Sequence, residues 1–285
     1  MNRASIVIVA LAIAATACGN ATEEGGTTGD EGNERAKEII VEENLISVTM
    51  QDRAFSVEGK AAAGEVMVEF TNEGDELHDA IIGRLEKGKS LEDVQNFLQS
   101  GRQGPPPPWF DDTPMDMGIV GRGETAGIVL DVEEGTYVLL CIMSDPKGVP
   151  HAAHGMVQTF EIGPSDASTA IRPDEEIAMT ADGAEAPQLS SGPSILEVTN
   201  EAGEVGEVLV IELAPGQTLD DVESWFRGGQ RGPIPATFYG GTHAIEHGTS
   251  AKLVFNLDPG RYSIIASFGE GEDVRDAPTE FTISE

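Results

Sequence analysis

Cys141-Ile-Met-Ser-Asp-Pro-Lys-Gly-Val-Pro150-His151-Ala-Ala-His154-Gly-Met156 holds the one cysteine outside the first twenty residues, two of the five histidines, and a methionine. A thiolate, an imidazole and a thioether in one loop form a soft, mixed S/N donor set. That set suits copper cycling between Cu(I) and Cu(II), with two nitrogens and the thiolate in a plane and a weak axial thioether. One further nitrogen has to come from elsewhere in the fold.

Outward from this loop the chain reads as mainly β. Gly135-Thr-Tyr137 leads into Val138-Leu-Leu140, a buried strand ending at Cys141, and Val157 to Ile162 is the strand that follows the loop. Upstream, Thr125–Val132, Leu77–Leu85, Gly64–Asn72 and Ile46–Met50 carry β-branched residues and apolar/polar alternation. One helix interrupts them. Ser90 caps it with Asp93 three residues on, Leu91, Val94 and Leu98 share a face, and Gly101 ends it. Gly104 and four prolines then break regular structure up to Trp109, and a polar, Gly-rich turn is expected before Thr125.

The second half repeats the first. Gly64–Asn72 and Gly192–Asn200 lie 128 positions apart, and at that offset Leu85 meets Leu213, Leu91-Glu-Asp-Val meets Leu219-Asp-Asp-Val, and Gly104-Pro105 meets Gly232-Pro233. After a three-residue deletion Gly135-Thr-Tyr137 meets Gly260-Arg-Tyr262, and near the end, where the offset has fallen to 121, Phe160 meets Phe281. The expected units are residues 46–163 and 174–285, with a linker at 164–173.

His78 is the one histidine of the first unit outside the loop, and it follows Phe70-Thr-Asn72 across the turn Glu73-Gly74-Asp75. In this arrangement the chain resembles the cupredoxins, the blue-copper family, in which a first histidine follows an F-x-N-type strand end. The other ligands of that family lie on one late loop after a G-x-Y-type strand. Pro150-His151-x-x-x-Gly155-Met156 is similar to the plastocyanin-like loop ending, whereas the nine residues between Cys141 and His151 are nearer the interval of copper nitrite reductases. The resemblance implies an all-β protein of two Greek-key cupredoxin-like β-sandwiches, each with an inserted short helix. It also implies one type 1 copper held by His78, Cys141, His151 and Met156, serving single-electron transfer. His151 is preferred to His154 because Pro150 precedes it and four residues separate it from Met156. In the second unit Gly206, Ala266 and Ala277 fall where His78, Cys141 and Met156 stand, so that unit is expected to lack the site.

Other features have plainer readings. Met115 and Met117 could add soft donors or simply pack. His243 and His247 are four apart, as on one helix face, but glycines bracket them closely and surface histidines are expected. Trp109 and Trp225 read as packing residues. Leu140 and Ile142 flank Cys141 where multicopper enzymes carry a flanking histidine, so an enzyme is not expected. Copper storage, or a metal-free binding module, is the alternative to electron transfer.

The net charge of -33 comes from 50 acidic against 17 basic residues. It argues against nucleic-acid binding, which needs a basic surface, and for a redox partner with a basic docking face. Met1 to Cys18 reads as a targeting segment: Arg3 is followed by an apolar run, Ile6–Ala15, too short to span a bilayer. Ala15-Thr-Ala-Cys18-Gly19 is similar to a bacterial lipobox that would lipidate Cys18, with Ala15 where Leu is usual, and it is also an A-x-A cleavage site. Either route exports the chain, and membrane association would run through a lipid on Cys18. Residues 19–45 read as a flexible acidic tether. With Cys18 lipidated, Cys141 has no disulfide partner, and a lone thiol in an oxidising compartment is a liability unless buried or bound to metal.

Overall fold

The computed structural model describes residues 44–100, 107–145, 147–165, 170–269 and 274–284. The targeting segment, Cys18 and nearly all of the tether lie outside them. The first half runs β1 (Leu45–Gln51), β2 (Ala54–Gly59), β3 (Ala61–Ala62), β4 (Gly64–Asn72), β5 (His78–Leu85), α1 (Leu91–Gln99), β6 (Phe110–Val120), β7 (Thr125–Val132), β8 (Gly135–Leu140), a 3-10 turn (His151–His154) and β9 (Val157–Gly163). The second runs β10 (Glu175–Thr180), β11 (Gly183–Ala184), β12 (Gly192–Asn200), β13 (Gly206–Leu213), α2 (Leu219–Arg227), β14 (Ala236–Ile245), β15 (Ser250–Leu257), β16 (Gly260–Phe268) and β17 (Arg275–Ile283). The all-β, two-layered architecture is as expected, with one short helix in each half.

Both halves are woven into the same two sheets, in the orders β11-β10-β12-β15-β7-β4-β1-β2 and β17-β16-β13-β14-β6-β5-β8-β9-β3. The seam is made by equivalent strands: β7 pairs antiparallel with β15, and β6 with β14. One apolar core runs through the two halves, from Ile46 and Phe70 to Phe268 and Ile283. The linker is tied down at this seam, where Lys252 donates to the Ile171 carbonyl (2.8 Å) and pairs with Glu65 (2.7 Å).

The repeated residues do repeated work. Asn72 and Asn200 are fully buried. Each amide donates to two carbonyls, Glu76 and Val120 in one half, Glu204 and Ile245 in the other, at 2.7–2.9 Å. Tyr137 and Tyr262 each donate to the carbonyl four residues back (3.0 and 2.9 Å) and stack on Phe160 and Phe281 at 5.6 Å. Both helices open with a full capping box, Ser90 with Asp93 and Thr218 with Asp221. Val94 of α1, with Leu91 and Leu98 beside it, packs on Leu85, Val138 and Val157, which sets the helix against the His151–His154 turn.

One stretch departs from expectation. Phe110–Val120 is a strand where a polar turn was expected. Its Asp-Asp-Thr-Pro start and Gly118 lack strand character. It is strand because β5 and β14 flank it, and because Gly118 allows the backbone of Gly241 to approach.

Candidate metal centre

Three donors from separate elements converge at one end of the first half. His78 opens β5, Cys141 follows the last residue of β8, and His151 starts the 3-10 turn. His78 and Cys141 are fully buried and His151 is 2% exposed. Cys141 Sγ lies 3.7 Å from His78 Nδ1 and 3.5 Å from His151 Nδ1, and the two Nδ1 atoms are 3.2 Å apart. Three donors bound to one ion at about 2.0–2.3 Å in a trigonal arrangement stand about 3.5–3.8 Å apart. The observed triangle is close to that, so these residues fit a single metal ion.

The loop backbone fixes this geometry. Cys141 N donates to Met156 O (3.3 Å), Met156 N to His151 O (3.0 Å), His151 N to Met143 O (2.8 Å) and Ala152 N to Cys141 O (2.9 Å). Gly155, at φ 105°, supplies the left-handed turn that brings Met156 back, fully buried, beside Cys141. Buried Asp79 accepts from Ile142 N (2.8 Å) and Met143 N (3.4 Å), pinning the chain just after the cysteine.

Outer carboxylates face both imidazoles. Asp52 Oδ1 stands 3.4 Å from His78 Nε2. Glu76 Oε2 stands 3.2 Å from His151 Nε2 but off the line of a hydrogen bond, so that buried nitrogen has no hydrogen-bond partner. Glu76 is itself paired with Arg53. With the far nitrogens turned outward, both Nδ1 atoms face the thiol. Metal-binding histidines commonly have this outer support.

Burial holds the His151 imidazole down at about 4, and the nearby Arg53 and His78 add to this. Burial also lowers His78, against the pull of Asp52. Both rings are therefore neutral at pH 7, as ligands must be. Burial, with the Asp79 charge beside it, pushes the Cys141 thiol well above its ordinary value, so binding a metal has to displace a proton there.

His154 is excluded from this cluster: its Nε2 lies 3.1 Å from Asp145 Oδ2 and its side chain is 38% exposed. His243 lies within β14 and His247 in the exposed turn beyond it, so the pair does not form a helical face. His247 Nδ1 accepts from Gly203 N at 3.2 Å. Met117 is fully buried at the seam. Trp109 packs edge-on against Phe97 at 6.3 Å and Trp225 against Phe226 at 5.2 Å. Glu76 and Arg53 lie over the outward side of His151.

The second half has filled the corresponding space. A Cβ on Gly206 would stand 2.8 Å from Met179 Cε and 2.9 Å from Phe268 Cε1. Ala266 pairs with Ala277 across β16 and β17, where Cys141 meets Met156. Arg275 lies 4.7 Å over the Phe268 ring and pairs with Glu204 at 2.8 Å. Sequence reasoning missed Asp52, Glu76 and Asp79. Among 50 acidic residues no single carboxylate stands out.

No protein-family model matches the chain, and no curated protein does. Solved structures similar to it include reduced auracyanin from Roseiflexus castenholzii (20% identity, 42% of this chain, 98% of that one, TM-score 0.29). A multicopper oxidase is similar over 84% of this chain and 88% of its own, at 15% identity and TM-score 0.26. Auracyanin A of Chloroflexus aurantiacus, described as a "blue" copper protein, is similar at 19% identity over 42% of this chain and 99% of its own, with TM-score 0.27.

Proposed function

We propose that the chain is an exported, lipid-anchored blue copper protein that carries single electrons through one type 1 copper in its first half. The observation that carries this reading is the buried triangle of His78 Nδ1, Cys141 Sγ and His151 Nδ1, with both imidazoles neutral. Copper, when bound there, supplies a one-electron Cu(I)/Cu(II) couple. His78 and His151 would hold it through Nδ1, Cys141 through its thiolate, and Met156 through its thioether. The closed core around these donors excludes water, and the loop hydrogen bonds keep them in place in both oxidation states.

The anchor would be a lipid on Cys18, with residues 19–45 as tether. Among the described residues no helix is long and apolar enough to cross a membrane. A redox partner with a basic face would complement the acidic surface. An enzymatic role finds little support. The second half has lost its donors, and His247 follows Ile245. That residue lies about 20 Å along β14 from Tyr239, the partner of Val120 beside His78.

Residues 42–285, produced without the leader and loaded with Cu(II), should show an intense visible thiolate-to-copper band at one copper per chain, and Cys141→Ser should abolish it. A colourless protein that takes up no copper would overturn the proposal. A coloured protein that exchanges electrons with no redox partner would favour storage, and more than one copper per chain would reopen the enzyme reading.

A further inference from the structure

We infer that Asp52 is a positioning residue of the metal centre, acting on copper through His78, and that Gly74 exists to make that contact possible; this rests on the function proposed above. Asp52 sits in the β1–β2 turn, outside every motif that suggests a metal site. Its Oδ1 accepts from Asp75 N (3.0 Å) and Glu76 N (3.2 Å) and stands 3.4 Å from His78 Nε2. The carboxylate is thus held by two amides and presented to the ring nitrogen remote from the donors.

Gly74 lies over this junction. A Cβ there would stand 2.5 Å from Asp52 Oδ1 and 2.9 Å from His78 Nε2, closer than real contacts allow. Gly74 is not at positive φ, so its lack of a side chain serves space and not backbone conformation.

The other half is an internal control. Met50 faces Asn72 as Met179 faces Asn200, so Asp52 corresponds to Ala181, and at the 128-residue offset Gly74 corresponds to Ala202 and His78 to Gly206. The acid, the spacer glycine and the ligand are replaced together. Glu76, by contrast, persists as Glu204, which pairs with Arg275 where there are no ligands at all. A glutamate at this position therefore has an ion-pairing role that does not need metal, whereas Asp52 and Gly74 belong with the ligand set.

A carboxylate behind a metal-bound imidazole orients the ring and makes its other nitrogen a better donor, and removing such a partner typically costs 10–100-fold in metal affinity. The effect should be greater on Cu(II), the more charged ion, so the Cu(II)/Cu(I) affinity ratio should fall. Asp52→Asn keeps an oxygen for the two amides and removes the charge. Its Cu(II) dissociation constant should rise about 10–100-fold. Its reduction potential should rise too, by about 59 mV for each tenfold by which Cu(II) is weakened more than Cu(I). Gly74→Ala, which drives the pair apart, should move both quantities the same way, and Asp52→Glu should recover part of the loss.

Wild-type affinity and potential at those values in Asp52→Asn would overturn the inference while leaving the function standing. So would a loss in Asp52→Ala that Asp52→Asn does not share, since that assigns Asp52 to capping the loop. A wild-type protein that takes up no copper would instead remove the function on which the inference rests.

Discussion

Ile128 of β7 lies directly opposite Leu253 of β15 across the seam, and the two are equivalent positions of the internal repeat, 125 residues apart. A residue facing its own counterpart marks a pseudo-two-fold axis between the halves. Gly118 and Gly241, close at the β6–β14 seam, lie near the same axis in the other sheet. The two halves therefore point their ligand-bearing and ligand-less ends in opposite directions.

Gly241→Ala should damage the β13–β14 pairing beside this seam. Its Cβ would lie 1.9 Å from Val208 O and 2.9 Å from Leu209 Cα, both backbone atoms that cannot swing aside. A cost of about 3 kcal/mol, the upper end for overpacking, is expected in urea unfolding. Wild-type stability would show that the β13–β14 contact relaxes freely.

Shared sheets and a shared core predict that the halves melt together. Calorimetry should give one transition, and copper bound in the first half should raise all of it. At copper a hundredfold above its dissociation constant the gain is about 2.7 kcal/mol, or about 5–10 °C for a chain of this size. Two transitions, only one of them copper-sensitive, would contradict it.

Phe268 is 1% exposed and fills the space at Gly206. Phe268→Ala should destabilise the protein by about 3–5 kcal/mol through the cavity it leaves. The visible copper band should not change, because the substitution lies at the far end of the molecule. A changed band would mean that the ends are coupled.

His154→Ala should leave the copper band and copper affinity as in wild type, since that ring faces Asp145 and solvent. His151→Ala should bleach the band. The reverse result would assign the loop ligand to His154.

Acid should weaken the copper-free protein. His151 takes a proton near 6.5 when unfolded but only at about 4 when folded. The unfolded chain therefore binds more protons between these values, and stability falls as pH drops through that window. The slope is about 1.4 kcal/mol per unit for one such group. Urea titrations at pH 7, 5.5 and 4 should show a smaller loss in His151→Gln than in wild type. Equal losses would assign the acid sensitivity to other groups.

The chain itself determined the β architecture, the capped first helix and the repeat that implies a second, because these rest on local alternation, capping spacing and repeated residues such as Asn72 and Tyr137. It also drew attention to Cys141 and the few histidines, since such residues stand out in a chain with two cysteines and five histidines, and the resemblance to the cupredoxins pointed from there to His78, Cys141, His151 and Met156. Three things were decided only by the tertiary structure. Phe110–Val120 became a strand because neighbours on both sides supply hydrogen bonds that its own sequence does not announce. The two halves fused into common sheets because strand edges, which carry no sequence signature, found each other. Asp52 reached His78 because a turn and a bare glycine, 22 residues apart, meet above one imidazole. A carboxylate's meaning lies in what it faces, and that is fixed by packing.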